Sequence, residues 1–276
     1  MLIQETIYPK PFLKWAGGKT KLIQQYLSSF PNKIINYYEP FLGGGAVFFY
    51  LYNNHSLNSA FLSDINPELV NAYLCIKNDV EVVISLLKQH QKNHSREYYY
   101  YMRSYTTDNF IERAARLIYL NKTCFNGLYR ENSKGEFNVP MGKYKNPQIC
   151  HPELLRAVAN ALQIAQIEVR SFETILNYAN SNEDFVYFDP PYYPLSETSN
   201  FTAYSRDAFH KDDQIRLKDV CVQLAQRGVK IMQSNSDCPF IRELYRDFKI
   251  YEIKASRAIN SNAAKRGKIS EVLITI

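Results

Sequence analysis

The sequence predicts an α/β fold: a doubly wound, mostly parallel sheet carrying an inserted subdomain made of helices and a β-hairpin. Three observations predict it. Residues 34–64 read as strand, glycine turn, helix and a second strand ending on an acid, the first half of a nucleotide-binding sheet. Residues 67–123 then carry apolar side chains at three- and four-residue spacing, the pattern of successive amphipathic helices. Beyond residue 150, strand–helix alternation resumes.

Each element follows from its residues. Residues 34–38 are an apolar-aromatic run closing on Glu39-Pro40, which suits a buried strand. Gly43, Gly44 and Gly45 make the turn, residues 46–53 a helix, and residues 60–63 a strand ending at Asp64. Helices are predicted over 67–77, 80–91, 95–105 and 110–121. Between 124 and 150, Asn126-Gly127 and Lys134-Gly135 are turn dipeptides around Leu128-Tyr129-Arg130 and Phe137-Asn138-Val139, which suggests a hairpin and a punctuated loop. A helix over 152–162 and strands over 167–170 and 185–188 follow. Then come a helix over 212–226, a strand over 229–234, and two strands around Tyr251 and Val272.

Composition excludes several classes. At 276 residues the chain is near the upper limit for one core, and 46% hydrophobic with 22% charged residues is ordinary globular usage. No apolar run approaches the roughly 18 residues of a membrane helix, and residues 1–15 lack the apolar core of a secretory leader. Five scattered cysteines without a CxxC pair argue for reduced thiols rather than disulfides or structural zinc. His90 and His94 lie four apart, but without a third ligand nearby a solvated helix face explains them better than a metal. The run Tyr98 to Tyr101 points around a helix and suits partial core packing better than base stacking.

The net charge of +6 is unevenly placed. Residues 10–21, 122–145 and 254–268 together carry +12, leaving −6 on the rest. Such concentration fits a polyanion-binding surface if folding gathers the segments, and equally fits three separate solvated loops.

The strongest chemical signal is Val186-Tyr187-Phe188-Asp189-Pro190-Pro191-Tyr192, an apolar strand running into an acid, two prolines and an aromatic. In an open parallel sheet, ligands bind beyond the carboxyl ends of the strands. Proline has no N–H and a fixed φ, so this backbone is rigid with carbonyls available as acceptors. A carboxylate, a carbonyl and an aromatic face suit a flat heterocycle with an exocyclic amine. Taken alone, Asp-Pro-Pro is also a plain turn.

The tetrad does not stand alone. In order along the chain come Phe12-Leu13-Lys14-Trp15-Ala16-Gly17-Gly18-Lys19, Glu39-Pro40-Phe41-Leu42-Gly43-Gly44-Gly45 and Asp64. Asn126-Gly127-Leu128-Tyr129-Arg130, Gly135-Glu136-Phe137-Asn138-Val139-Pro140, the tetrad, and Asn200-Phe201-Thr202-Ala203-Tyr204 follow. With these blocks the sequence resembles the Dam-type, α-group DNA adenine-N6 methyltransferases along nearly its whole length.

The resemblance implies a Rossmann-like methyltransferase that moves a methyl group from S-adenosyl-L-methionine to the N6 amine of an adenine flipped out of double-stranded DNA. It implies catalytic roles for Asp189, Pro190 and Tyr192, and cofactor contacts by Trp15, Lys19, Phe41, Gly43, Gly45, Asp64, Phe172 and Asp189. On the residues alone, Trp15 and Phe172 read equally as core aromatics, Lys19 as a surface lysine, and Asp64 as a helix N-cap. For DNA it implies Lys14, Phe125, Asn126, Leu128, Arg130, Pro140 and Tyr144, with GATC as the site. Arg130 would read a guanine, Leu128 and Pro140 would face a thymine methyl, and Phe125 and Asn126 would fill the space left by the flipped base. Residues 1–66 and 151–276 would form the catalytic domain, and 67–150 the inserted target-recognition domain. No metal, a monomeric state, and the cytoplasm of a prokaryotic or phage-infected cell are expected.

Overall fold

Parallel strands covered on both faces need continuous apolar runs, and those runs form the centre of the sheet. The computed structural model describes residues 7–195, 209–256 and 268–276. The Asn200–Tyr204 block and residues 257–267 of the third basic segment lie outside the described residues. The chain opens with a short helix, α1 (Ile23–Tyr26), before β1 (Asn36–Glu39), α2 (Ala46–Asn54) and β2 (Ser59–Asp64). Three helices follow in succession: α3 (Pro67–Asn93), α4 (Arg96–Ser104) and α5 (Phe110–Thr123). Next come α6 (Pro152–Ala161), β3 (Ala165–Val169), β4 (Asp184–Phe188), α7 (Lys211–Gln226) and β5 (Lys230–Ser236). Last come α8 (Pro239–Leu244), β6 (Lys249–Ser256) and β7 (Lys268–Thr275).

The seven strands form one mostly parallel sheet in the order β3-β2-β1-β4-β5-β7-β6. β1 runs parallel to β2 and β4, and β4 parallel to β5. β7 is antiparallel to both β5 and β6. All five residues of β4 are buried. Chain order reverses between β1 and β4, where Tyr38 lies opposite Val186. The segments after Glu39 and after Phe188 therefore leave the sheet on the same edge, at the topological switch point.

By its contacts the chain forms two compact units, one of Met1–Gly18, Gly43–Asn54 and Asp64–Val169, the other of Lys19–Leu42, His55–Ser63 and Arg170–Ile276. The first unit holds the glycine turn and the helical block, in which α3 packs on α5 and α6. Caps explain where these helices start. Asn66 accepts from the backbone N–H groups of Glu68 and Leu69, with Pro67 in the first turn, and Asn109 caps α5 in the same way. The helices predicted over 67–77 and 80–91 are both present within α3, which breaks between them at Asp79, where the backbone is non-helical (φ −133°, ψ 35°). The predicted hairpin is present in irregular form: isolated antiparallel bridges pair Cys124 with Met141 and Glu131 with Phe137, and the N–H groups of Asn132 and Asn138 donate to the Glu136 and Arg130 carbonyls. Asn132 shapes the turn of this hairpin, because its side chain accepts from the N–H groups of Lys134 and Glu136.

Candidate active site

The second unit carries the tetrad. Asp189 is the first residue past β4, and its Oδ1 meets Lys19 Nζ at 2.9 Å. Lys19 is 3% exposed, so it is not the surface lysine its sequence context allowed. Its ammonium also lies 4.7 Å from the centre of the Tyr192 ring, a cation–π contact. The Tyr192 hydroxyl donates to Glu271 Oε2 at 2.7 Å. Two fully buried amides brace the loop behind: Gln214 donates to the Pro191 carbonyl and accepts from Asn235, which in turn accepts from the Tyr193 N–H. The prolines thus stiffen this loop covalently, and the amide pair pins it to α7 and β5.

Burial raises the Asp189 carboxyl above its ordinary range, the Lys19 ammonium opposes that rise, and the Glu271 charge adds to it. On the role the resemblance implies for Asp189, its protonated carboxyl is the poorer acceptor for an amine N–H, so activity is lost as pH falls through its raised value. The acid limb of kcat/KM is therefore expected above the ordinary aspartate value of about 3.9. Lys19→Met should move that limb further up, because the influence holding the carboxyl down is gone. Methyl incorporation measured against pH checks both, and an unmoved limb in the Lys19 variant would detach the pair from the chemistry.

Near the same switch point, Phe41 stacks on Phe172 (centroids 5.5 Å, planes 24° apart), and Phe209 meets both rings edge-on at 5.7 Å. Phe172 is buried, so its core alternative also describes it, but the partly exposed Phe41 gives the cluster an accessible aromatic face.

In the first unit, Gly43 (φ +47°) begins the turn, and a Cβ there would sit 2.9 Å from Trp15 Cδ1. Trp15 stacks on Tyr129 (5.3 Å) and packs against this turn. Gly45, also at positive φ, leads into α2 and accepts from the Phe49 N–H. Asp64 Oδ2 accepts from the Gly43 N–H at 3.1 Å and Oδ1 from the Asn66 N–H at 3.0 Å. Asp64 therefore fastens the turn, while the N-cap alternative fails because Asn66 caps α3 itself. Its burial raises its carboxyl above the ordinary range, and the N–H groups of Asn66, Gly43 and Ile65 oppose the rise. With about four lone-pair positions, the carboxylate keeps capacity for hydroxyl donors. A carboxylate acceptor beside a glycine turn suits the hydroxyls of a ribose.

The predicted DNA residues also lie in the first unit. Asn121, 1% exposed, accepts from the Lys14 N–H and donates to the Lys14 and Gly127 carbonyls. The Lys14 stem covers Gly127, and its ammonium sits 4.2 Å over the Tyr144 ring. Phe125 is 48% exposed and donates its N–H to the Pro140 carbonyl, and Asn126 is exposed in the left-handed region (φ 56°). Thus Lys14, Phe125, Asn126, Pro140 and Tyr144 form one surface around the Asn121 clamp. Leu128 is half-buried. Arg130 is exposed further along the arm, oriented by its Nε bond to Asn138 Oδ1 at 2.7 Å. Burial and the charges of Lys14 and Lys10 bring Lys122 down to about 8. His90 is buried and His94 partly buried, bonded to the hydroxyls of Tyr98 and Tyr119 respectively, so neither lies on the solvated face expected of them. Tyr99 is buried and Tyr101 exposed, as partial core packing requires.

The model of the D12 class N6 adenine-specific DNA methyltransferases matches residues 15–259. The chain belongs to that family. This D12 class methyltransferase is 44% identical over 283 residues to the type II methyltransferase M1.LlaDCHI of Lactococcus lactis subsp. cremoris, covering 100% of this chain and 98% of the relative. It is 43% identical to the type II methyltransferase M.MjaIII of Methanocaldococcus jannaschii, covering 96% and 98%. It is 37% identical to a DNA adenine methylase of Haemophilus influenzae, covering 96% and 92%. The D12 methyltransferase acts on DNA, transferring a methyl group from S-adenosylmethionine to adenine N6. Sequence reasoning missed Glu271, Gln214, Asn235, Phe209 and Asn121. Only their polar or aromatic character inside apolar segments hinted at them.

Proposed function

We propose that the D12 methyltransferase methylates a flipped-out adenine within GATC in double-stranded DNA. The observation that carries this reading is the partly buried Asp189 carboxylate at the end of β4, paired to the buried Lys19 beside the Tyr192 ring. The target amine is a weak nucleophile because its lone pair is delocalised into the ring. Asp189 and the Pro190 carbonyl accept its two N–H groups and localise that pair, while Tyr192 stacks on the base. The base must leave the duplex because its amine is inaccessible there. When bound, S-adenosylmethionine supplies the sulfonium methyl. Trp15, Lys19, Phe41, Gly43, Gly45, Asp64, Phe172 and Asp189 are its assigned contacts.

Residues 67–150 are assigned to target recognition, with 1–66 and 151–276 as the catalytic part. Lys14, Phe125, Asn126, Leu128, Arg130, Pro140 and Tyr144 contact DNA. Support comes from the clustering of five of them around Asn121 and from the match of these positions to the GATC-reading Dam family. The enzyme is assigned as a monomer working in the cytoplasm of a prokaryotic or phage-infected cell. Methylation of plasmid DNA with position-resolved readout of the modified base tests the reading; methyl groups outside GATC would refute the assigned site.

Arg130 is assigned to a guanine O6/N7 pair. Arg130→Ala is expected to cost about 1–3 kcal/mol and to relax one base position. Competition between sites differing by one base distinguishes the cases, and uniform weakening at every site would make Arg130 a phosphate contact.

A further inference from the structure

We infer that Glu271 is a positioning residue for methyl transfer: it tethers the Tyr192 hydroxyl and so fixes the ring on which the target base stacks. The inference rests on the stacking role proposed for Tyr192. Topology brings Glu271 to the site. β5 runs parallel to β4, so its end at Ser236 lies on the edge where Asp189 emerges. β7 runs the other way, and its pairing of Glu271 with Ser236 puts the early part of β7 on that same edge. There Glu271 Oε2 accepts the Tyr192 hydroxyl at 2.7 Å.

A phenol ring turns about two bonds, and a base stacked on it inherits that freedom. Two contacts remove it here. Lys19 Nζ holds one face of the ring at 4.7 Å while gripping Asp189 at 2.9 Å. Glu271 holds the far end of the ring through the hydroxyl. Behind the site, Tyr26 and Tyr187 hydroxyls share Ser234 Oγ at 3.1 and 2.6 Å. They have their own partner and do not compete for Glu271. The stacking ring and the carboxylate that grips the amine are thereby held in fixed relation through Lys19, with Glu271 as the anchor.

The test is a cycle of Glu271→Ala, Tyr192→Phe and the double variant, reading kcat and KM on plasmid DNA by labelled-methyl incorporation, with thermal midpoint measured alongside. Tyr192→Phe keeps the ring and removes only the tethered hydroxyl. Both single variants are expected to lower kcat by a similar factor, about tenfold, with KM for DNA little changed. The double variant should be no worse than either single one. Glu271→Gln keeps an acceptor oxygen and should recover most of the lost kcat. Wild-type kcat in Tyr192→Phe would overturn the inference even if Glu271→Ala failed to fold, and so would losses that multiply in the double variant. Unchanged kcat in Tyr192→Ala would instead bring down the stacking role itself, and the inference with it.

Discussion

Asp189→Ala is expected to reduce methyl incorporation into DNA by at least about three orders of magnitude, because it removes the acceptor proposed for the reacting amine. The same change also strains the fold. Lys19 is 3% exposed, and its ammonium is paired with Asp189 at 2.9 Å. Removing one partner of a buried pair typically costs about 3–5 kcal/mol, since the other charge is left uncompensated. The Asp189 side chain is 20% exposed, so water reaches the pair and the cost should be about 2 kcal/mol. The variant should still fold and bind DNA. Combining Lys19→Met with Asp189→Asn removes both charges and should return most of the stability without returning activity. Urea unfolding of the single and double variants reads the first outcome, and labelled-methyl incorporation reads the second. Near-normal turnover in Asp189→Ala would refute the catalytic assignment.

Gly127→Ala is expected to be the most damaging single change on the DNA face. Gly127 sits at φ +65°, and an added Cβ would lie 2.5 Å from Lys14 Cβ and 2.7 Å from Lys14 Cδ. The left-handed conformation alone costs an alanine about 1–2 kcal/mol. The collision adds to that, because the Lys14 stem cannot simply swing away: Asn121 holds the Lys14 backbone from both sides. Relief must come from moving Lys14 off Tyr144 or from opening the 125–127 turn, and either displaces groups assigned to DNA. The expected result is a loss of about 2–3 kcal/mol in stability and at least about tenfold in DNA affinity. Gly135→Ala is the matched control. It has the same backbone requirement (φ +79°) with nothing within 4 Å of the added Cβ. Equal effects at the two glycines, by denaturant unfolding and fluorescence anisotropy with a labelled duplex, would show that strain alone matters and that the Lys14 contact does not.

What was legible in the sequence depended on the range of the interaction that fixes it. Asn66-Pro67 and Asn109 announce helix starts because capping is settled within three residues. Asp189 was legible because an apolar strand running into two prolines has few places to go in a parallel sheet. The hairpin within residues 124–150 is legible from its turn dipeptide Lys134-Gly135, while the thinning of its pairing to isolated bridges is not, because no period-two pattern records it. Glu271 and Asn121 could not be read at all. Their partners lie 79 and 107 positions away, and no local pattern encodes such pairs. Trp15 is a middle case, since its motif pointed to the cofactor while its packing on Gly43 and Tyr129 follows from tertiary contact.

The placement of β7 between β5 and β6 bears on how the enzyme is made. A ribosome delivers β5 about thirty residues before β7. Until β7 docks, β5 presents an open hydrogen-bonding edge, which this non-local pairing closes only late in folding. Newly made molecules are therefore vulnerable to self-association until residues 268–276 dock. Overproduction should thus draw on chaperones, and changes that weaken the pairing of β7 with β5 should raise the fraction of aggregated product.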